Sequence, residues 1–323
     1  MPYVDGYVVP VPKKNVEAYR AMTEKALRDL KSGLPPAAAL VPLSFVQSPD
    51  DITRVRTMMV EEGRPKVPIV AKLERPEAID RLDEILDAAD AVMVARGDLG
   101  LEIPLERVPR VQSETLRKAG AASVPVIVAT QVLESMRTEP RPTRAEASDA
   151  AGAVDGGADA IMLSGETATG FYPVRSVEVL DAIIRDTESI ESTVSDRRAG
   201  TAGVNHVRAL CEAAVQLSRR AGAFAIVAVT REGQTAKMLS AIRPQALIVG
   251  VTDKPDVARC LSLWHGVMPM VSELEGDTEQ IITRVVEAAV KRIQAPENAT
   301  MVVVNTSVDL DRGSSNFVRI RRA

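Results

Sequence analysis

Five short apolar runs begin near residues 39, 67, 91, 125 and 159, at intervals of 28, 24, 34 and 34 residues, and each ends in polar side chains. The runs, among them "VPIVAK", "VPVIVAT" and "DAIMLS", are nearly continuous rather than alternating, which is the pattern of parallel strands buried on both faces. Helical patterns fill the intervals at 49–62, 76–88, 106–121 and 143–156, and a further one follows at 173–195. Successive strand–helix units with right-handed crossovers close toward a barrel or open into a doubly wound sheet, and the runs alone leave both open. Upstream, the pattern predicts a strand at 3–11 and a helix at 13–32.

Local signals agree with these boundaries. Ser48-Pro49-Asp50-Asp51 reads as a helix start with proline at the first helical position, and Pro76-Glu77 as another. Thr143-Arg144-Ala145-Glu146 has the capping-box pattern. The polar stretch "DRRAGTAGV" at 196–204 has no periodicity and marks a domain boundary. Beyond it, helices at 205–221, 234–242, 254–263 and 276–294 alternate with strands near 224–229, 246–251, 267–270 and 300–305, the pattern of a smaller α/β sandwich.

Composition narrows the functional classes. A formal charge of −4 provides no basic field for nucleic acid, and 3% aromatic residues provide no stacking platform. No run of about 18 apolar residues argues for a membrane span, and Asp5 near the start argues against a signal peptide, so the expectation is a cytoplasmic protein. Cys211 and Cys260 lack metal spacing and read as reduced core thiols; His206 and His265 have no ligand companion.

The chemistry sits where the runs stop: at Ser44; at Lys72 and Glu74; at Arg96 and Asp98; at Thr130 and Gln131; and at Ser164 and Glu166. In a parallel barrel these ends converge on one mouth, where the strand–helix loops build the active site. Lys72 and Glu74, two positions apart, project to one face. Glu74 and Asp98 are two hard oxygen ligands suited to Mg²⁺ or Mn²⁺. The ammonium suits a phosphoryl group or a developing enolate. Gly97 permits close backbone approach, and the Gly97 and Asp98 amides could meet a substrate carboxylate if a short helix starts there.

"AKLERPEAIDRLDEIL", "MVARGDLGLEIPLERV", "VPVIVATQVLESM" and "PRPTRAEASDAAGAVDGGADAIMLSGETATGFYP" resemble the pyruvate kinase family, in that family's order. "TEKALRDLKSGL" and "LSFVQSPDDI" extend the resemblance upstream to Thr23, and "TREGQTAKMLSAIRP" with "GSSNFVRIRR" is similar to the family's C-terminal domain. The resemblance implies a partial (β/α)8 barrel over residues 23–196, with five matched units, and a smaller α/β domain over 205–323. It implies phosphoryl transfer between phosphoenolpyruvate and ADP, giving pyruvate and ATP in glycolysis. By resemblance, Lys72 stabilises the phosphoryl group and the enolate, Glu74 and Asp98 bind Mg²⁺ or Mn²⁺, and the Gly97–Asp98 backbone with Thr130 holds the substrate carboxylate. Thr130 also lies near the carbon that gains a proton, while Arg96, Ser164 and Glu166 support the others.

The resemblance also marks departures. The family's first three strands carry a phosphate-binding arginine and the potassium ligands, a lid domain follows the third, and none of these is matched here. In their place residues 1–22, "MPYVDGYVVPVPKKNVEAYRAM", resemble the opening of a small uncharacterised bacterial family with a ferredoxin-like fold and read as a foreign segment. Pro35-Pro36-Ala37 departs from the family's usual link. Thr230, Gly233 and Thr235 match the family's sugar-phosphate effector loop, but Glu232 stands where a small hydroxyl residue is usual. The "PRPTRAEASD" helix resembles the one through which the family's subunits pair, with Arg144 reaching the neighbour, so a homo-oligomer, or association with a complete pyruvate kinase, is expected. Trp264 reads as a domain-interface residue. Two other functions stay open: a non-catalytic module binding Mg²⁺ and an oxo-acid, and a Mg²⁺-dependent oxo-acid lyase.

Overall fold

A computed structural model describes residues 40–61, 63, 67–189, 206–306 and 316–322. The expected strand 3–11, helix 13–32, Pro35-Pro36-Ala37 link and 196–204 boundary lie outside the described residues. The first unit is a five-stranded parallel sheet of β1 (Val41–Leu43), β2 (Ile69–Leu73), β3 (Ala91–Ala95), β4 (Val126–Ala129) and β5 (Ala160–Met162), neighbours in chain order. A doubly wound sheet reverses its order at a switch point; among the described residues this one keeps chain order throughout.

The two sheet faces are covered differently, and this separates the remaining alternatives. Ile69, Ala71, Leu73, Val92, Val94, Val126 and Val128 pack against helices, including α1 (Pro49–Glu61) and α3 (Leu82–Ala88). The alternate residues Val70, Ala91, Met93, Ile127 and Ala129 pack on one another, joined by Leu40, Ala160 and Met162. No barrel helix enters that second cluster among the described residues; strand side chains fill it, as they fill a barrel interior. The partial barrel expected from the sequence is thus the architecture found.

Two repeated aspartates lock the strand starts together. Asp90 accepts from the Ile69 amide at 2.9 Å and Asp159 from the Val126 amide at 2.9 Å, each tying the start of one strand to the residue preceding its neighbour. Helix α6 (Arg144–Asp155) begins with the expected capping box between Thr143 and Glu146. Asp51 accepts from the Ser48 amide at the start of α1.

The expected helix 76–88 is broken at Arg81 into α2 (Pro76–Asp80) and α3, because Arg81 leaves helical geometry at φ −110° and ψ 26°. A short helix α4 (Arg96–Glu102) follows β3 directly. The remaining barrel helices are α5 (Val108–Ala122), α7 (Gly165–Ala168) and α8 (Pro173–Glu188).

The second unit is a mixed sheet in the order β10-β9-β6-β7-β8, comprising β6 (Ala225–Val229), β7 (Leu247–Thr252), β8 (Val267–Val271), β9 (Thr300–Asn305) and β10 (Phe317–Arg322). Helices α9 (His206–Arg220), α10 (Gln234–Ile242) and α11 (Pro255–Leu261) contribute to one core layer, and α12 (Thr278–Ile293) to the other. Strand β10 runs antiparallel on the edge and was not among the expected strands. Its Arg319, Arg321 and Arg322 dilute the apolar pattern, as is usual for edge strands.

The units meet at the strand-start end of the barrel. Arg243 ends α10 in a left-handed conformation and donates to Gly157 O, Ala158 O and Asp159 Oδ1 at 2.7, 3.1 and 2.8 Å. Leu263 packs against the barrel-interior cluster, and His265 Nε2 pairs with Glu188 at 2.7 Å, holding that carboxyl below its usual range. Trp264, expected at the domain interface, is buried in the second unit's own core, with Lys237 over its ring; Leu263 beside it makes the contact.

Candidate active site

Residues 70, 72 and 74 share one sheet face by alternation, so Lys72 and Glu74 continue the barrel-interior row begun by Val70. Both are buried, Lys72 5% and Glu74 1% exposed, which excludes a solvated surface pair. The Lys72 ammonium lies against Glu74 Oε1 and donates to Ser44 Oγ at 3.0 Å. The contact with Oε1 is close but misaligned, leaving that oxygen without a well-directed hydrogen bond. Glu74 Oε2 accepts from the Phe45 amide at 2.8 Å. Burial pushes the Glu74 carboxyl above its ordinary value, the Lys72 contact and the Phe45 amide pull it back, and the charge of Asp98 pushes it further up. Asp98, exposed in the first turn of α4, is therefore within electrostatic reach of Glu74.

The next strand end is built around Arg96. Its Nε and Nη2 donate to Thr130 O at 3.2 and 2.9 Å, Nη2 also reaches Gln131 O at 2.9 Å, and Nη1 reaches Asp149 Oδ2 at 2.5 Å. The Gly97 amide donates to Thr130 Oγ1 at 2.7 Å, and that hydroxyl donates to Ala129 O at 2.6 Å. Ala95 offers no side-chain cap to α4, so Thr130 caps it from the neighbouring strand. A Cβ at position 97 would sit 3.3 Å from Thr130 Oγ1, which is why glycine suits this approach. Glu166, 1% exposed, accepts from the Leu133 and Ser164 amides at 3.0 and 2.8 Å, while Ser164 Oγ is buried without a hydrogen-bond partner.

Backbone strain marks the same place independently. Among the described non-glycine residues with positive φ, Ser123, Arg243 and Gln294 are helix C-caps, and Asn298 lies in a turn. Phe45 (56°), Thr130 (66°) and Gln131 (52°) instead stand just past the ends of β1 and β4. Each left-handed residue costs on the order of 1–2 kcal/mol, and such strain persists where surrounding contacts over-determine it.

The structure thus gathers Ser44, Lys72 and Glu74 in one group and Arg96, Gly97 and Thr130 in another, with the Asp98 charge, on α4, bearing on Glu74. Glu166 and Ser164 buttress the loop after β4. Sequence reading did not single out the Phe45 amide or Asp149. The helical period at 143–156, the Thr143–Glu146 capping box and the family-like "RAEASD" run drew attention to that helix, and nothing in them pointed to Arg96. Among the described residues no three His, Cys, Asp or Glu side chains converge in metal-binding geometry. The donor set nonetheless fits one divalent cation: two hard carboxylates, with Glu74 Oε1 lacking an aligned donor.

Thr230, Gly233 and Thr235 lie apart from this group, at the end of β6 and the start of α10, where β6 and β9 diverge in connection order. Gly233 takes φ 85°, and Thr235 Oγ1 is paired with Thr306 Oγ1 at 2.7 Å. Glu232 is paired with Lys254 across the strand ends.

Family comparisons assign both units. A model of the pyruvate kinase barrel domain matches residues 7–177, and one of the pyruvate kinase alpha/beta domain matches residues 208–321. The chain belongs to the pyruvate kinase family. The pyruvate kinase of Sporosarcina psychrophila is 40% identical over 303 residues, 93% of this chain and 51% of that protein. That of Clostridium acetobutylicum is 37% identical over 320 residues, covering 97% of this chain and 66% of its own length. That of Mycobacterium tuberculosis is 38% identical over 326 residues, 99% of this chain and 67% of that protein. The chain therefore spans about half to two thirds of the length of these pyruvate kinases. The barrel match begins at residue 7, inside the 1–22 segment that reads as distinct. No helix among the described residues is long and apolar enough to cross a membrane.

Proposed function

We propose that the barrel unit carries the phosphoenolpyruvate half of a pyruvate kinase site, for phosphoryl transfer between phosphoenolpyruvate and ADP. The observation that carries the reading is the buried Lys72–Glu74 pair at the end of β2. Burying an ammonium and a carboxylate is costly and adds little stability compared with apolar packing. Such a pair at converging strand ends is explained best by chemistry that needs both charges. Phosphoryl transfer needs positioning and charge neutralisation more than covalent help from the protein.

In this reading the phosphorus–oxygen bond of phosphoenolpyruvate breaks as a terminal oxygen of ADP attacks phosphorus, and the enolate left behind takes a proton to become pyruvate. Lys72, held by Ser44, neutralises charge on the phosphoryl group and then on the enolate oxygen. Glu74 and Asp98 would hold Mg²⁺ or Mn²⁺, which would supply Lewis acidity and a template for substrate oxygens. Thr130 and the Gly97–Asp98 backbone hold the substrate carboxylate, which takes the place of the bonds that the Gly97 amide makes to Thr130 Oγ1 and the Thr130 hydroxyl makes to Ala129 O, and Thr130 stands near the carbon to be protonated. Arg96 fixes the loop bearing Thr130, and Glu166 fixes the amides of Leu133 and Ser164. No residue of this chain is assigned to K⁺. Residues 1–22, 23–196 and 205–323 form the proposed division of the chain, and α6 is the proposed pairing helix of a homo-oligomer, with Arg144 exposed on it. Glu232, paired with Lys254 in the effector loop, would repel a phosphate there.

The test is lactate formation coupled to pyruvate release, with phosphoenolpyruvate, ADP, Mg²⁺ and K⁺. Turnover lost in Lys72→Met supports phosphotransfer. Metal-dependent oxalate binding without turnover points to a non-catalytic oxo-acid module, and pyruvate release from a hydroxy-oxo-acid without ADP to a lyase.

A further inference from the structure

Thr130 and Gln131 are two consecutive non-glycine residues in the left-handed region, and both of their carbonyls end on the Arg96 guanidinium. That fork has one remaining arm. Nη1 meets Asp149 Oδ2 at 2.5 Å, with Gln112 Oε1 a distant second at 3.4 Å. We propose that Asp149, on α6, is a positioning residue: it orients Arg96, which in turn sets the Thr130–Gln131 backbone and aims the Thr130 hydroxyl at the Gly97 amide.

The placement of Asp149 is itself fixed from the loop after β4. The capping box sets where α6 begins. Glu146 in that box also accepts from the Ser135 amide and hydroxyl at 2.7 and 2.5 Å, so the first turn of α6 is tied to the segment following Thr130. Asp149 comes one turn later, on the side of Arg96. It makes little contribution to packing, since Ala150 and Ala153 supply the buried face of α6 while the Asp149 side chain is 43% exposed. Arg96 itself is 9% exposed, but it keeps the Thr130 and Gln131 carbonyls when Asp149 is neutralised, and an asparagine oxygen can still accept from Nη1, so the change costs little stability. The effect of Asp149 is geometric: a planar fork held at a third corner cannot rotate away from the two carbonyls. The inference rests on the reading of Thr130 as an oxo-acid contact, and misplacing such a contact by about 1 Å costs on the order of a hundredfold.

The experiment compares the wild-type chain with Asp149→Asn, Arg96→Lys and the double variant. It measures oxalate affinity in Mn²⁺ by calorimetry, hydrogen exchange in the segment 93–101, thermal midpoint, and mass in solution. Asp149→Asn is expected to weaken oxalate about ten- to a hundredfold and to speed exchange at the Gly97 amide. Its midpoint stays within about 2 °C of wild type, and its mass is unchanged. Arg96→Lys keeps the charge but loses the fork, and adding Asp149→Asn to it costs nothing more. Unchanged oxalate affinity and Gly97 exchange in Asp149→Asn, or fully additive losses in the double variant, would overturn the proposal. If the wild-type chain binds no oxalate, the phosphotransfer reading falls, and Gly97 exchange alone decides the positioning role: faster in the variant upholds it, unchanged refutes it.

Discussion

Lys72→Met keeps a long unbranched stem and deletes only the ammonium, leaving Glu74 buried at 1% exposure with one remaining partner, the Phe45 amide. Removing one member of a buried ion pair costs about 3–5 kcal/mol, mostly because the other charge is left uncompensated. The pH dependence gives the test its sign. Burial raises the Glu74 carboxyl above its ordinary value even with Lys72 present; without Lys72, the two Lys72 contributions that pull it down are lost, while burial, Asp98 and the smaller downward pull of the Phe45 amide remain. A carboxyl raised in the folded state is neutral in both states below its unfolded value, so no penalty appears there. The penalty grows as the pH climbs from about 4.5 toward the raised folded value, because only the unfolded state ionises freely. Urea unfolding followed by far-UV circular dichroism should show a deficit of about 3–5 kcal/mol near pH 8 that closes near pH 4. Trp264, the single tryptophan, reports the second unit and serves as an internal reference. Adding Glu74→Gln should restore most of the loss at pH 8. An equal deficit at both pH values, or a double variant as unstable as Lys72→Met alone, would refute a buried, Lys72-compensated carboxylate.

Three further outcomes follow from other contacts. Arg243→Ala removes the partner of Asp159, both largely buried at 7% and 2% side-chain exposure, and should cost about 3–5 kcal/mol; scanning calorimetry should show the barrel and second unit melting as separate transitions. Gly97→Ala brings a Cβ to 3.3 Å from Thr130 Oγ1; stability should hold or rise by up to about 1 kcal/mol from helix propensity, while metal-dependent oxalate affinity falls about tenfold. Burial pushes the Cys211 thiol up to about 12, so a disulfide reagent at about pH 8 should label it only after unfolding, with any native labelling confined to the half-buried Cys260.

Several parts of this molecule are local in sequence and were legible there. The apolar runs gave β2, β3 and β4 because a fully buried parallel strand needs side chains of one kind on both faces. The Thr143–Glu146 box is complete within four residues. Lys72 and Glu74 share a face by strand alternation alone, and the polar strand ends were legible in the order of residues. The split at Arg81 and the edge strand β10 were harder. Neither changes the hydrophobic period enough to be seen, since one is a single backbone departure and the other carries charge on an exposed edge.

By itself, then, the chain's order of residues determined that parallel strand–helix units exist, where their chemistry-bearing ends fall, and which family they resemble. Tertiary structure alone decided that the first sheet keeps chain order and fills its inner face with its own side chains, so that a partial barrel forms instead of a doubly wound sheet. It alone also brought Asp149 to Arg96 across 53 residues and Arg243 to Asp159 across 84. The reason is physical: periodicity and capping are set by covalent neighbours within one or two turns, whereas these pairings depend on where whole elements pack after the chain has crossed the sheet.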